Sequence, residues 1–242
     1  MSLRYPSPAN LAAALLLMAV GTLCLALARW QWHRAGESRA GVALFAAGAE
    51  LPSLTSAPSE LDGLRYRRLR LSGHYVPEQQ FLLDNMVEDG RAGYEVLTPF
   101  RLEDGGPWLL VNRGWLPANP DRRVLPEVDV STEQRDVVGR LDRLPRSGLK
   151  LGGDGDSKQT DAVAVLSYPT ADELAERLGH AVRAYQILLD GGEPDGFGRA
   201  WRASGMGPER HLAYAGQWVL FACVAVVAGI AIVWRGLRRQ TS

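Results

Sequence analysis

Residues Leu212–Trp234 read "LAYAGQWVLFACVAVVAGIAIVW", a run without a single charged side chain. As a helix, such a run has the roughly 20 residues that about 30 Å of hydrocarbon requires. It decides the fold because Leu11–Ala28, "LAAALLLMAVGTLCLALA", is a second run of the same kind near the other end. The material between them is polar and broken by Gly and Pro. The expected order is helix, folded domain, helix. The expected bounds are a tail over residues 1–10, a first transmembrane helix over 11–32, a β-rich domain over 33–210, a second transmembrane helix over 211–234 and a tail over 235–242. The first run has a competing reading as a signal peptide, since Arg4 precedes it and "ALA" at Ala26–Ala28 resembles a cleavage site. Its length, and an aromatic anchor at Trp30-Gln31-Trp32, favour a retained helix.

The positive charges do not orient this hairpin by themselves. Arg235, Arg238 and Arg239 favour a cytoplasmic C-terminus, but Arg29, Arg34 and Arg39, and Arg199, Arg202 and Arg210, flank the opposite ends of the two runs. The 242 residues hold 27 Lys and Arg against 27 Asp and Glu, so charge gives no case for nucleic-acid binding. The only cysteines, Cys24 and Cys223, lie inside the apolar runs. That leaves the middle domain without a disulfide or a thiolate metal site. With Met18, Met86 and Met206 the only methionines after the first residue, a copper carrier using soft ligands is disfavoured.

Within the middle domain the signals are those of short strands. Alanine-rich Ser38–Leu51 extends the first helix outward until Pro52 breaks it. In "LRYRRLRLSGHY", Leu69 and Leu71 alternate with Arg68 and Arg70. "QQFLLDN" ends in turn chemistry, and "GYEVLTPF" alternates and stops at Pro99. Glu103–Gly106, "EDGG", makes a hairpin turn before "PWLLVNRGWLP". "RDVVGRLDRL", "AVAVLSY" and "VRAYQILLD" are further strands. A short helix covers Asp172–Leu178, with Thr170 as N-cap and Glu173 closing a capping box. The expected fold is a membrane protein in which two transmembrane helices flank a soluble, mainly antiparallel β domain, α+β in composition, as an open sheet or a partly closed barrel. "GLKLGGDGDSKQTD" and "DGGEPDGFG" read as mobile loops.

Catalytic signatures are missing from the sequence: it has no GxSxG elbow, phosphate loop, HExxH or dinucleotide fingerprint. Gly152–Ser157, "GGDGDS", is one imperfect copy of a calcium repeat that works only when stacked. His74 and His180 have no partner at a telling spacing. No catalytic residue is assigned, and an enzyme is not expected. "LLVNRGWLP" stands out more. Leu109 and Val111 share one face, Leu110 and Asn112 the other, and Arg113-Gly114-Trp115 leaves the strand before Pro117. One reading is a strand end, with Asn112 bonding locally, Gly114 at a strained angle and Trp115 capping the core. The other is a presented Arg–Trp pair at an interface.

Spaced about 100° apart on a helix, His211, Tyr214, Ala215, Trp218, Ala222, Ala225 and Gly229 fall on one face. In the first run Ala14, Gly21 and Ala28 repeat with Gln31 and Trp32 near the same side, while His33 points away. Small stripes let membrane helices approach. His211 then has two readings. It is an interfacial residue at headgroup level, or an axial ligand above a narrow apolar slot able to take a porphyrin.

These segments together resemble the Surfeit locus protein 1 family of cytochrome c oxidase assembly proteins. "RWQWHR" at Arg29–Arg34 is similar to its Trp-Gln…Arg signature, and "RRLRLSGHY" to its strand with a Gly-aromatic ending. "LLDNMVEDGRAGYEVLTPF" is similar to its Gly-Tyr…Thr-Pro block, "LLVNRGWLP" to its most recognisable segment, and "HLAYAGQW" to its entry into the last helix. Asn85-Met86 stands where many members have Asn-Arg, and residues about 145–165 diverge. The resemblance implies a bacterial member in the inner membrane, its domain periplasmic and both termini cytoplasmic. It implies a chaperone of respiratory-chain biogenesis that holds haem A and delivers it to oxidase subunit I, with other oxidase assembly factors and the lipid bilayer as partners and no nucleic acid. His211 is then the haem ligand, its iron the only metal, with Tyr214 and Trp218 beside it. Trp30, Gln31, Arg34, Asn112, Arg113, Gly114 and Trp115 are the expected partner-binding residues. A cofactor-free membrane scaffold for oxidase subunits is the alternative, and a membrane-anchored enzyme a third.

Overall fold

The structure, a computed structural model, describes residues 7–146 and 163–238. The "GGDGDS" segment lies outside the described residues. Two compact units result, one from Met1–Ala43 with Ala203–Ser242, the other from Leu44–Arg202.

The first unit is a pair of antiparallel helices. Helix α1 covers Pro8–Glu50 and α3 covers Pro208–Arg238, and both are long and apolar enough to cross a membrane. With 43 residues, α1 is roughly 65 Å long, about twice a hydrocarbon core. It therefore runs on past the Trp30-Gln31-Trp32 anchor, as the alanine-rich stretch predicts, and stops one residue short of Leu51-Pro52, where proline excludes the helical conformation of the residue before it. The seam uses the small residues. Gly21, Cys24, Ala28 and Ala35 of α1 are buried, as are Ala215, Ala222, Ala225 and Gly229 of α3. A Cβ added to Gly21 would lie 3.7 Å from the Ala222 carbonyl oxygen and 3.8 Å from the Ala225 Cβ. Lipid tails give no hydrophobic drive to pair helices, so this close approach and its dispersion contacts hold them.

The second unit holds seven strands among the described residues: β1 Arg68–Tyr75, β2 Gln80–Glu88, β3 Arg91–Leu102, β4 Trp108–Pro117, β5 Gln134–Asp142, β6 Val163–Leu166 and β7 Val182–Leu189, with helix α2 at Ala171–Leu178. Their order is β1-β5-β7-β4-β3-β2-β6. The β2–β6 and β4–β7 pairs are parallel and the rest antiparallel, giving a mixed, mostly antiparallel sheet. An added β1–β3 pairing of Gly73–Tyr75 with Phe100–Leu102 curls one end of the sheet back on itself, a short seam and not a full barrel. Period-two alternation sorts β4 between two cores. Leu109 and Val111 join Leu69, Leu71, Tyr75, Phe100, Tyr185 and Ile187, while Leu110 joins Phe81, Leu83, Leu97, Leu174 and Leu178 beneath α2. The α2 capping box forms as expected, Glu173 N donating to Thr170 Oγ1 at 3.2 Å and Thr170 N to Glu173 Oε2 at 2.7 Å.

The last turns of α1 belong to this unit. Phe45 meets Tyr66 edge-on at 5.0 Å, and Arg140 of β5 lies 4.2 Å over the Phe45 ring and donates to the Phe45 carbonyl at 2.8 Å. That helix end has no basic residue of its own, so Arg140 supplies the positive charge its carbonyls favour.

Three expectations change. β3 continues through Pro99, because there it passes from pairing with β2 at Leu97 to pairing with β1 at Phe100, so the missing N–H costs little. β2 does not end at Asp84-Asn85. Asn85 takes φ +63° within an irregularity between Leu83 and Met86, and the turn follows at Asp89-Gly90. "DGGEPDGFG" is not a loose loop. Arg199 Nη1 donates to the Asp190 and Glu193 carbonyls at 2.6 and 2.8 Å, and Gly198 bridges to Trp115.

Candidate functional site

In the helical unit the site is built from one polar pair. His211 Nδ1 lies 2.8 Å from Gln31 Oε1, and both residues are half-buried. Further along the seam Ser38 Oγ donates to the Met206 carbonyl at 2.8 Å. The helical spacing thus brings Gln31 and His211 together as the faces predict. It does not bring the others. Trp32 is 64 % exposed and leaves the seam, and Tyr214 is 45 % exposed. Trp218 packs edge-on against Phe221 at 5.7 Å, and His33 is exposed, as expected. Trp30 is also exposed, and Arg34 pairs with Glu37 at 2.5 Å on the helix surface.

An apolar cleft of about 420 Å³ does open between the helices, lined by Ala14, Met18, Ala225, Gly229, Val233 and Trp234. It begins roughly 20 Å along α3 from His211, beyond the close approach of Gly21 to Ala222. His211 itself fits a ligand role, because its Nδ1 is engaged and its Nε2 makes no hydrogen bond among the described residues. The fit is that of an imidazole ligand, and the apolar cleft further along the seam lies too far from His211 to share one porphyrin with it.

In the sheet unit, "NRGW" organises a polar interior. Between the pairs Leu97↔Asn112 and Glu95↔Trp115, β4 has two residues where β3 has one, so Arg113-Gly114 is a bulge and the strand runs on to Pro117. Gly114 has φ +112°, and a Cβ there would strike the Gly198 carbonyl oxygen. The bulge turns Arg113 inward, where it is 1 % exposed. Its Nε donates to the Asp195 carbonyl at 2.6 Å, Nη1 to the Val128 carbonyl at 2.8 Å and Gln80 Oε1 at 3.0 Å, and Nη2 to the Asp129 carbonyl at 3.0 Å. The Phe197 ring lies 4.9 Å from its guanidinium carbon. Burial lowers the Arg113 pKa, while neighbouring Tyr75, Asp195 and Asp129 oppose that. Burial also pushes the Tyr75 phenol far above its usual value, against the pull of Arg113.

The presented Arg–Trp pair is therefore replaced by an internal knot. Asn112, fully buried, donates through Nδ2 to Glu95 Oε2 at 2.6 Å and Gln186 Oε1 at 3.0 Å, and accepts from Gly114 N at 3.2 Å. Trp115 Nε1 donates to the Met86 carbonyl at 3.0 Å. Its indole covers Gly93, where any Cβ would strike the ring, so "GY" in β3 and "RGW" in β4 are two halves of one contact. Gln80, Thr98, Glu95 and Gln186 were missed as members of this network. The available signal was polar residues at inward strand positions, which alternation alone cannot distinguish from surface ones.

Burial raises the Glu95 pKa, the Asn112 hydrogen bond opposing it less strongly. A raised carboxyl pKa means that the folded state holds the proton more tightly. The cost to folding is absent below the unfolded value of about 4.3 and grows as pH rises through the window up to the folded value. Glu95→Gln keeps an oxygen for Asn112 and removes that charge. The variant should be more stable than the parent at pH 7, with the difference shrinking towards pH 4, as read from urea midpoints across pH.

His74 has its Nδ1 3.0 Å from the Thr132 carbonyl, and His180 stacks on Trp108 at 4.3 Å, so both have structural neighbours. Among the described residues, no three of His, Cys, Asp and Glu are gathered as a metal site.

Two helices long and apolar enough to cross a membrane, with a sheet domain between them in the sequence, define a class of candidate membrane-anchored proteins. Within it, the SURF1 family model matches residues 18–223, and the chain belongs to that family. A SURF1-like protein of Mycobacterium bovis is 27 % identical over 229 residues, covering 91 % of this chain and 82 % of its own. A SURF1-like protein of Monosiga brevicollis is 28 % identical over 137 residues, 50 % of this chain and 52 % of its own. The cytochrome oxidase assembly protein Shy1 of Saccharomyces cerevisiae is 26 % identical over 136 residues, 55 % of this chain and 34 % of its own. The matched region thus spans about half of the Monosiga protein and a third of the yeast one.

Proposed function

We propose that the chain is a non-catalytic assembly factor for a haem–copper terminal oxidase, cytochrome c oxidase, and that it holds haem A and delivers it to subunit I. Its membership of a family that includes a yeast protein named for cytochrome oxidase assembly supports the assembly role. The single observation that carries the haem reading is His211, held through Nδ1 with Nε2 available. Haem is cargo in this reading. His211 would supply one exchangeable bond to the iron, and Tyr214 and Trp218, about one and two turns further along α3, would offer apolar and polar surface. One such bond suits a carrier that must release what it holds. The proposed setting is a bacterial inner membrane with the sheet domain periplasmic and both termini cytoplasmic. The antiparallel helix pair supports placing the termini on one side. Subunit I, other assembly factors and the bilayer are the proposed partners. Of the expected contact residues, exposed Trp30 and Arg34 are offered for direct contact, while Asn112, Arg113 and Gly114 act from within by shaping the surface that carries Trp115.

A second reading, a cofactor-free scaffold, is favoured by one observation, the distance between His211 and the apolar cleft of the seam, which sets that space apart from the imidazole. The experiment that separates them is the absorption spectrum of the full chain purified from cells that make haem A. His211→Ala should lose most of the chromophore while leaving the amount of folded protein unchanged. A spectrum unaltered by that substitution removes the ligand role, and parent protein that never carries a chromophore establishes the scaffold.

A further inference from the structure

We infer that Gln31 is a positioning residue for His211, setting which imidazole nitrogen is free to bind iron. The inference rests on the haem reading above and gives a role to a residue expected only to touch partners. With the Gln31 amide turned so that its oxygen, which bears no proton, faces the ring across 2.8 Å, Nδ1 of His211 is the donor. A neutral imidazole has one ring proton, and placing it on Nδ1 leaves the lone pair on Nε2. In water a free histidine side chain prefers the other tautomer, with the proton on Nε2, which cannot bind a metal there. Gln31 therefore reverses the intrinsic preference.

The surroundings hold it in place. Gln31 continues the buried α1 face of Gly21, Cys24 and Ala28, and Ala35 and Ser38 carry that face onward. Below, Gly21 faces Ala222 and Ala225 with room for little more than a methyl group, and above, Ser38 holds the Met206 carbonyl, which together favour the register that sets the amide opposite the ring. A neutral amide does this without placing a carboxylate in an apolar seam. Partners that orient a metal-bound histidine in this way are typically worth about 10–100-fold in affinity.

The test uses the full chain in detergent micelles, with 15N-labelled histidine and ferric haem A as the probe. The His211 ring signals, assigned by their loss in His211→Ala, should show Nδ1 protonated and Nε2 bare in the haem-free parent. Gln31→Leu should move the proton to Nε2 and weaken haem binding about 10–100-fold. Gln31→Glu, whose carboxylate also accepts from Nδ1, should restore the parent tautomer and most of the binding. A purely structural role at the seam would not produce that tautomer change and rescue. The inference is overturned if Gln31→Leu keeps the proton on Nδ1, or loses it with no change in affinity while His211→Ala still abolishes binding. If His211→Ala binds haem as the parent does, the ligand reading itself has failed, and this inference with it.

Discussion

Arg113→Leu should lower the stability of the sheet domain by about 4 kcal/mol, among the largest effects any single substitution in it can have. The side chain is 1 % exposed, and its guanidinium satisfies the carbonyls of Val128, Asp129 and Asp195 together with Gln80 Oε1. Leucine fills part of the volume and leaves those oxygens buried without a donor, at about 1–3 kcal/mol each before relaxation. The total is less than the sum because the Val128–Asp129 segment can open to water. Arg113→Lys should fall between the two. It keeps the charge, but a point ammonium cannot reach acceptors spread around a planar fork. Urea unfolding of the full chain, followed by tryptophan fluorescence, reads both. A midpoint for Arg113→Leu within error of the parent would show that the knot does not hold the domain.

That result would bear on how far this fold could be foreseen. The two helices were visible because membrane spans are written in a contiguous alphabet, and the strands because period-two alternation survives in Leu69, Leu71, Leu109 and Val111. The strand order was not. β4 finds β7 in parallel and β1 finds both β5 and β3, pairings set by packing between distant segments that no local pattern encodes. Arg113 was misplaced for a similar reason. An arginine beside a tryptophan resembles an interface pair, and only the bulge at Gly114 reveals that it turns inward. The local half of the strand-end reading was correct, since Asn112 does bond within its own turn and Gly114 does take a positive φ.

The helical site divided in the same way. Angular spacing placed His211 and Gln31 on facing sides and sent His33 outward, and the structure agrees on all three. The stripe of small residues does two things: at Gly21 it is a contact, and at Ala225 and Gly229 it walls an apolar cleft. A small side chain permits close approach and also permits a gap, and which one occurs depends on the partner helix. Here Ala222 and Ala225 stand opposite Gly21 and the helices come close, while beyond them Ala14 and Gly229 leave an apolar cleft.

Gly114→Ala tests the bulge directly, and about 3 kcal/mol or more should be lost. Two costs combine. At φ +112° an L side chain is strained, and the new Cβ would meet the Gly198 carbonyl oxygen, which accepts from Trp115 N at 2.7 Å and cannot retreat without breaking that bond. Moving Gly198 draws Phe197 away from the Arg113 guanidinium and frees the Asp195 carbonyl from its Nε. The segment around Asp195 should then become the first site cut in limited proteolysis, whereas in the parent it is clasped. Gly90→Ala supplies the comparison. Gly90 also has a positive φ, +76°, but a Cβ there meets nothing within 4 Å, so it should cost only the left-handed strain of about 1–2 kcal/mol and leave the Asp195 segment protected. If the two alanine variants unfold at the same urea concentration and share one proteolytic pattern, backbone strain alone accounts for Gly114, and the contact with Gly198 is not what fastens Arg113 in place.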